Sequence, residues 1–286
     1  MKKLGALLAI VPLSIGLAAC GSGGSDDETV TIGVVSPDPA NEKLREEAEK
    51  QGITVEFTEF SDYNQPNPAL SQGQTDLNWF QHIAYLADYN VNSDDDLQIV
   101  GPTVIYPLGL YSEKHDSVDQ IPEGGEIAIP NDAVNETRAI LVLQSAGLVQ
   151  LTEDKAQPTL DDVDTEASKV RLTPVDAAQT VVSLPSVDGS IVNNDFIADA
   201  GLNPDDALFE DDASQQAALP YVNLFVSRAG DEDNETYQKI VEIYHSEPVQ
   251  DAVAEDTQGT AVTVDVDVQE LRDTQTRLED ELRNNS

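Results

Sequence analysis

Arg138 is the residue whose type and position most directly suggest chemistry. It follows the turn Pro130-Asn131-Asp132 on a segment whose pattern predicts a helix from about Asn135 to Ala146, stopped by Gly147. A place in the first turn would set its guanidinium beside free backbone amides, at the positive end of the helix dipole. That combination can hold a carboxylate in a two-pronged hydrogen-bonded pair. The same arginine could equally form a surface ion pair with one of the 54 acidic side chains of the chain.

Trp79, Phe80, His82 and Tyr85 form an aromatic patch in a chain that is only 5% aromatic. Such a patch either walls an apolar pocket or packs a core, and the residues alone favour the core. Asn193 and Asn223 each lie at a short apolar strand, where a buried amide without partners costs about 1 to 3 kcal/mol. A ligand or the backbone must supply those partners. Asp188 and Asp195 flank the strand that leads to Asn193, but carboxylates pair by chance in so acidic a chain, and a catalytic dyad is not expected. His82, His115 and His245 fall in separate segments without HxH or HxxxH spacing, which argues against a metal site. No GxSxG elbow, P-loop or GxGxxG fingerprint is present.

The elements that must position these residues alternate in type. Thr29 to Val35 reads as a strand, Asn41 to Gln51 as a helix stopped by Gly52, and Ile53 to Phe57 as a second strand. Further strands are expected at Thr103 to Ile105, Glu126 to Ile129, Gly189 to Val192 and Tyr221 to Val226, while Tyr237, Ile240, Val241 and Tyr244 mark one face of a helix. This alternation predicts an α/β fold with mainly parallel sheets. Beyond Gly259 the pattern changes to alternating Val262, Val264, Val266 and Val268, then a charged stretch anchored only by Leu271, Leu278 and Leu282, which fits a short strand and polar helix or a tail.

Composition and the amino terminus bound the function. With 286 residues and 40% hydrophobic side chains, the chain can bury a sizeable core, and its formal charge of -39 excludes binding to a phosphate backbone, so no nucleic-acid partner is expected. Acidity on this scale fits either adaptation to high salt or an acidic cell-surface protein. Lys2 and Lys3 precede an apolar run from Leu4 to Leu17 that is too short to span a bilayer comfortably, and the run ends in Leu17-Ala18-Ala19-Cys20-Gly21. This is similar to a bacterial lipobox, with the single cysteine of the chain at the position of lipid attachment. The polar stretch Gly21 to Glu28 then reads as a tether, and all 54 acidic residues stay with the mature protein.

Four ordered motifs add to these readings: Phe60 to Asn67, Phe80 to Leu86, Ile129 to Arg138 and Pro220 to Leu224. Together, behind a lipobox, they resemble the MetQ/NlpA-type lipoproteins, the substrate-binding proteins of methionine ABC importers, over about residues 30 to 260. The resemblance implies a two-lobed, type II periplasmic-binding-protein-like fold with its ligand cleft between the lobes. It places a signal peptide at 1–19, a lipidated tether at 20–29, one lobe at 30–105 plus 219–262, a second lobe at 106–218 and an acidic tail at 263–286.

The family implies that Arg138 holds the carboxylate of the ligand with Asn135 alongside, that Asn193 and Asn223 bind its polar end, and that Tyr63, Phe80, His82 and Tyr85 enclose its thioether. The implied partners are L-methionine or a close analogue, a membrane permease, and the membrane itself through lipid on Cys20, at the extracytoplasmic face. A monomer without metal or cofactor, and no enzyme, is expected. D-methionine or a methionine-containing dipeptide would present the same groups; a lipid-anchored hydrolase using paired carboxylates is the reading from a different class, separated by turnover on a substrate panel. The chain departs from the family pattern at Thr180-Val181-Val182, at Phe196, where a tyrosine hydroxyl is missing, and in the segment beyond Thr263.

Overall fold

Strand β1 (Thr29–Val35), helix α1 (Pro39–Glu49) and strand β2 (Thr54–Phe60) form the first β-α-β unit, with β1 and β2 parallel from Thr29 opposite Thr54 to Val35 opposite Phe60. Asp38 starts α1 by accepting a bond from the Asn41 amide, and the Asn41 side chain accepts one in return. Helix α2 (Pro66–Ser71), β3 (Leu77–His82), α3 (Ile83–Ser93), β4 (Gln98–Pro102) and β5 (Val104–Ile105) complete the first part of the chain. The computed structural model describes residues 29–285 except 37, 199, 214 and 215, so Cys20, its lipobox and the tether lie outside the described residues.

The middle of the chain builds a second sheet from β6 (Gly109–Tyr111), β7 (Gly125–Pro130), α4 (Ala133–Ser145), β8 (Val170–Val175), α5 (Ala177–Ser183), β9 (Gly189–Val192) and β10 (Phe209–Glu210). It then returns to the first sheet through β11 (Asn223–Ser227), followed by α6 (Glu235–Tyr244), α7 (Glu247–Asp256), β12 (Val262–Thr263) and α8 (Val268–Asn285). The strand orders are β2-β1-β3-β11-β4 and β10-β6-β9-β7-β8. In each, a parallel trio of the same order meets an antiparallel strand: β11 against β3 in the first and β6 against β9 in the second. The two sheets are the centres of two lobes, and the chain passes between them at Tyr106-Pro107-Leu108 and again between β10 and β11.

Helices cover the faces of the first sheet. Tyr237, Ile240, Val241 and Tyr244 are buried along α6, on the face their spacing predicts. A Cβ at Gly101 of β4 would lie 2.6 Å from Val241, so the closeness of α6 depends on glycine there. On the second sheet, Ala139, Ile140, Val142 and Leu143 of α4 pack against Ile127, Ile129 and Ile191. A further apolar cluster spans both lobes, joining Val35 and Phe80 to Ala177, Val192 and Phe196.

Of the two expectations for the segment beyond Gly259, a tail or a short strand and polar helix, the described residues form the second, as β12 and α8. Over the described part of this stretch, α8 packs against α3 and β4, with Leu271 fully buried and Leu278 nearly so. Polar bonds fasten it as well: Arg272 donates to the Ile99 carbonyl at 3.0 Å, Gln275 to the Leu97 carbonyl at 2.9 Å, and Asn90 to Glu279 at 2.9 Å. Two leucines one heptad apart and a polar seam thus attach a helix that is charged over most of its surface. Among the described residues no helix is long and apolar enough to cross a membrane.

Candidate functional site

The cleft between the lobes holds a pocket lined by residues of both. All eight residues expected to bind ligand, Tyr63, Phe80, His82, Tyr85, Asn135, Arg138, Asn193 and Asn223, line it. The aromatic patch itself divides. Trp79 turns into the first lobe's core, with its ring 5.1 Å from Phe225 and 5.1 Å from Tyr244, whereas Phe80, His82 and Tyr85 face the cleft.

His82 ends β3 and caps α3, its Nδ1 accepting from the Tyr85 amide at 3.1 Å. Burial and the nearby Arg138 charge push its ring down to about 3, so it stays neutral, with its proton on Nε2, on the side of Asn135. The Tyr85 hydroxyl donates to the Tyr63 carbonyl at 3.1 Å. Tyr63 then reaches across the cleft, its ring centroid 5.2 Å from that of Phe196. Beneath Phe80, the buried amides of Asn67, Asn78 and Gln81 bond to one another at 2.6 to 3.1 Å and fix α2 against β3.

The second lobe corrects two local expectations. Helix α4 begins at Ala133, and Asp132 caps it by accepting from the Asn135 amide at 2.9 Å and from the Asn135 side chain at 3.0 and 3.1 Å. The helix start therefore already carries a carboxylate, which takes up the Asn135 amide. Arg138 lies one turn further on, 5% exposed. It makes a two-pronged pair with Asp211, Nε to Oδ2 at 2.6 Å and Nη2 to Oδ1 at 3.1 Å, while Nη2 also donates to the Tyr106 carbonyl at 2.9 Å. Its Cζ stands 4.2 Å from the centroid of the Tyr221 ring. Among the described residues Nη1 has no hydrogen-bond partner.

Asn193 donates to the Asn135 side chain at 3.1 Å, but its own Oδ1 is buried without a partner. Asn223 opens β11 opposite His82 in the strand register, and among the described residues its side chain makes only a 3.4 Å bond to the Tyr221 carbonyl. The expected strand from Tyr221 starts two residues late because residues 216–221 form a 3-10 turn containing Pro220. Asp188 is bound to His115 at 3.0 Å and to the Glu126 amide at 2.9 Å, outside the cleft lining, so it forms no dyad with Asp195. Asp195 does line the cleft, as do Gln81, Tyr106 and Asn194, none of which the residue pattern singled out as ligand contacts. Near the cleft Asp62 of the first lobe meets Asp176 of the second, and burial together with the facing carboxylate pushes the Asp176 carboxyl up.

Two α/β lobes of matching strand order, closing on one pocket lined from both, define a periplasmic-binding-protein-like architecture of type II. The chain belongs to the NlpA lipoprotein family, whose model matches residues 30–264. It is 36% identical over 253 residues to the probable D-methionine-binding lipoprotein MetQ of Vibrio cholerae, covering 86% of this chain and 92% of that one. Among solved structures it is similar to protein PG110 from Staphylococcus aureus, with a TM-score of 0.82, 39% identity and coverage of 87% and 99% of the two chains. The substrate-binding protein of a methionine transporter from Streptococcus pneumoniae gives a TM-score of 0.76 and 36% identity over 82% of this chain and 95% of that one.

Proposed function

We propose that this protein is a lipid-anchored receptor that captures methionine and delivers it to an ABC-type membrane permease. The observation that carries this reading is the convergence of Tyr63, Phe80, His82, Tyr85, Asn135, Arg138, Asn193 and Asn223, drawn from distant parts of the chain, on one pocket. In this reading Arg138 holds the ligand carboxylate through Nη1, Asn193 and Asn223 take the polar end, and the aromatic wall encloses the thioether, a soft group that gains from ring contact. The lobes close because the closed state makes contacts to ligand that the open state lacks.

The similarity to a relative named for D-methionine and to a methionine transporter's binding protein supports the same ligand class. The receptor acts as a monomer held at the extracytoplasmic face by lipid on Cys20, and it releases its ligand unchanged. Mass spectrometry of ligand released by denaturing protein purified without additions, followed by calorimetry with L-methionine, D-methionine and glycyl-methionine, tests this. Methionine or its dipeptide in the eluate and binding of at least one of the three are expected; an unrelated ligand and no binding to any would overturn the reading.

A further inference from the structure

A zwitterion brings two charges into a pocket, and both need compensation once water is expelled. Arg138 faces the negative one, but the amides of Asn193 and Asn223 carry no charge for the positive one. Among the described residues lining the cleft, Asp195 is the only acidic side chain. It stands two residues after Asn193, whose Oδ1 is buried and unpartnered in the same pocket, so a carboxylate and an orphaned acceptor lie close together in the chain. Tyr63, from the opposite lobe, lines the same pocket, near enough for its hydroxyl to act on the Asp195 carboxyl. Asp38, the cap of α1, and Asp256, at the end of α7, lie near enough to act on it, and none of the three carboxylates makes an ion pair among the described residues.

We infer that Asp195 is a specificity-determining residue that supplies the counter-ion for the ammonium group of the ligand, with Asn193 Oδ1 as the neighbouring acceptor. This deepens the proposed function and rests on it. The pocket then has one charged side chain for each charge of an amino acid. The state of Asp195 without ligand agrees: desolvation of this half-buried side chain, reinforced by Asp38 and Asp256, pushes its carboxyl up to about 7, as expected for an acid whose compensating cation arrives with the ligand.

The test compares L-methionine with 4-(methylsulfanyl)butanoate, which keeps the carboxylate and thioether and lacks the amine, by calorimetry on the wild-type protein and on Asp195→Asn. The wild type is expected to prefer methionine by at least about 30-fold. Asp195→Asn is expected to lose about 10- to 100-fold for methionine and less than about threefold for the analogue, with the ligand-free protein melting no lower than wild type. Asp195→Ser serves as a second neutral replacement if the amide variant does not fold. Methionine affinity unchanged within about twofold, or equal losses for both ligands, would overturn the assignment while leaving the receptor reading intact. A wild-type protein that binds no amine-bearing ligand would overturn both.

Discussion

Asp211 holds Arg138 by two parallel bonds and the crossing segment by a third, since its Oδ1 also accepts from the Leu108 amide at 2.8 Å. The arginine of the cleft is thus fixed in place by a carboxylate 73 residues away. Such a pair fixes the direction of the remaining donor and leaves less positive charge in the cleft than a lone arginine would.

Removing either partner separates these effects. Asp211→Ala leaves a nearly buried guanidinium short of acceptors; because Asp211 itself is partly exposed, a loss of about 2 kcal/mol is expected, or about 4 to 8 °C in Tm. Arg138→Ala should weaken methionine binding by about one to two orders of magnitude, the value of a charge-assisted bond. Calorimetry on folded Arg138→Ala that returned wild-type affinity would remove the arginine from the ligand site.

Asn223→Ala distinguishes a ligand contact from a scaffold contact. Among the described residues its amide makes only one long bond, so the apo protein should melt within a few degrees of wild type. The rise in Tm on adding methionine, which grows with ligand concentration over Kd, should be largely lost. A large apo destabilisation with a full methionine response would assign Asn223 to the scaffold.

His82 has a defined sign of pH dependence. Its folded pKa of about 3 lies below the ordinary 6.5, so between those values the unfolded chain binds more protons. Its contribution therefore lowers stability as pH falls from 6.5 to 3 and vanishes above that window. Half-buried Asp195 acts in the opposite direction from about 7 down to its ordinary 3.8, so the difference between wild type and His82→Phe isolates the histidine. In urea unfolding that difference should shift between pH 7 and pH 5, and an imidazole NMR midpoint above 5 would contradict the assignment.

Helix α8 should be needed for the first lobe. Leu271→Ala creates a cavity at a fully buried site and is expected to cost about 2 to 5 kcal/mol. A chain ending at Thr263 would expose the apolar surface of α3 and should bind hydrophobic dyes or aggregate. Truncated protein with unchanged Tm would show that the helix is dispensable.

Cys20→Ala tests the anchor. Lipid attachment at this residue predicts release from membranes or blocked processing, with methionine binding by the soluble domain preserved. Membrane fractionation that shows no change would exclude lipidation at Cys20.

Local pattern made much of the fold legible. Thr29 to Val35 and Gly189 to Val192 are strands as their runs predict, and the spacing of Tyr237, Ile240, Val241 and Tyr244 matches the buried face of α6. Some cleft residues drew attention locally, Asn193 and Asn223 as amides at apolar strands and Arg138 by its place after a helix-starting turn, whereas the aromatic patch by itself favoured a core and Tyr63 and Asn135 came only with the family resemblance. Asp211 gave no such signal, since its importance comes from a contact formed only when the lobes are built. Asp195 was hidden by abundance, one carboxylate among 54 acidic residues. Helix α8 stayed one of two readings because Thr274, Gln275 and Arg272 share the work of two leucines, and no hydropathy pattern records bonds to the backbone of β4 and its approach.

The position of β11 sets an order of assembly. It lies between β3 and β4 in the first sheet, yet it comes after the whole second lobe in the chain. A chain that emerges amino terminus first presents every strand of the second sheet before the first can close. Until residue 227 is available, β3 and β4 lack their shared neighbour and keep unpaired edges. The amino-terminal lobe is thus the later one to finish, and premature termination anywhere before β11 leaves it as open strands, a form that quality-control proteases and chaperones recognise.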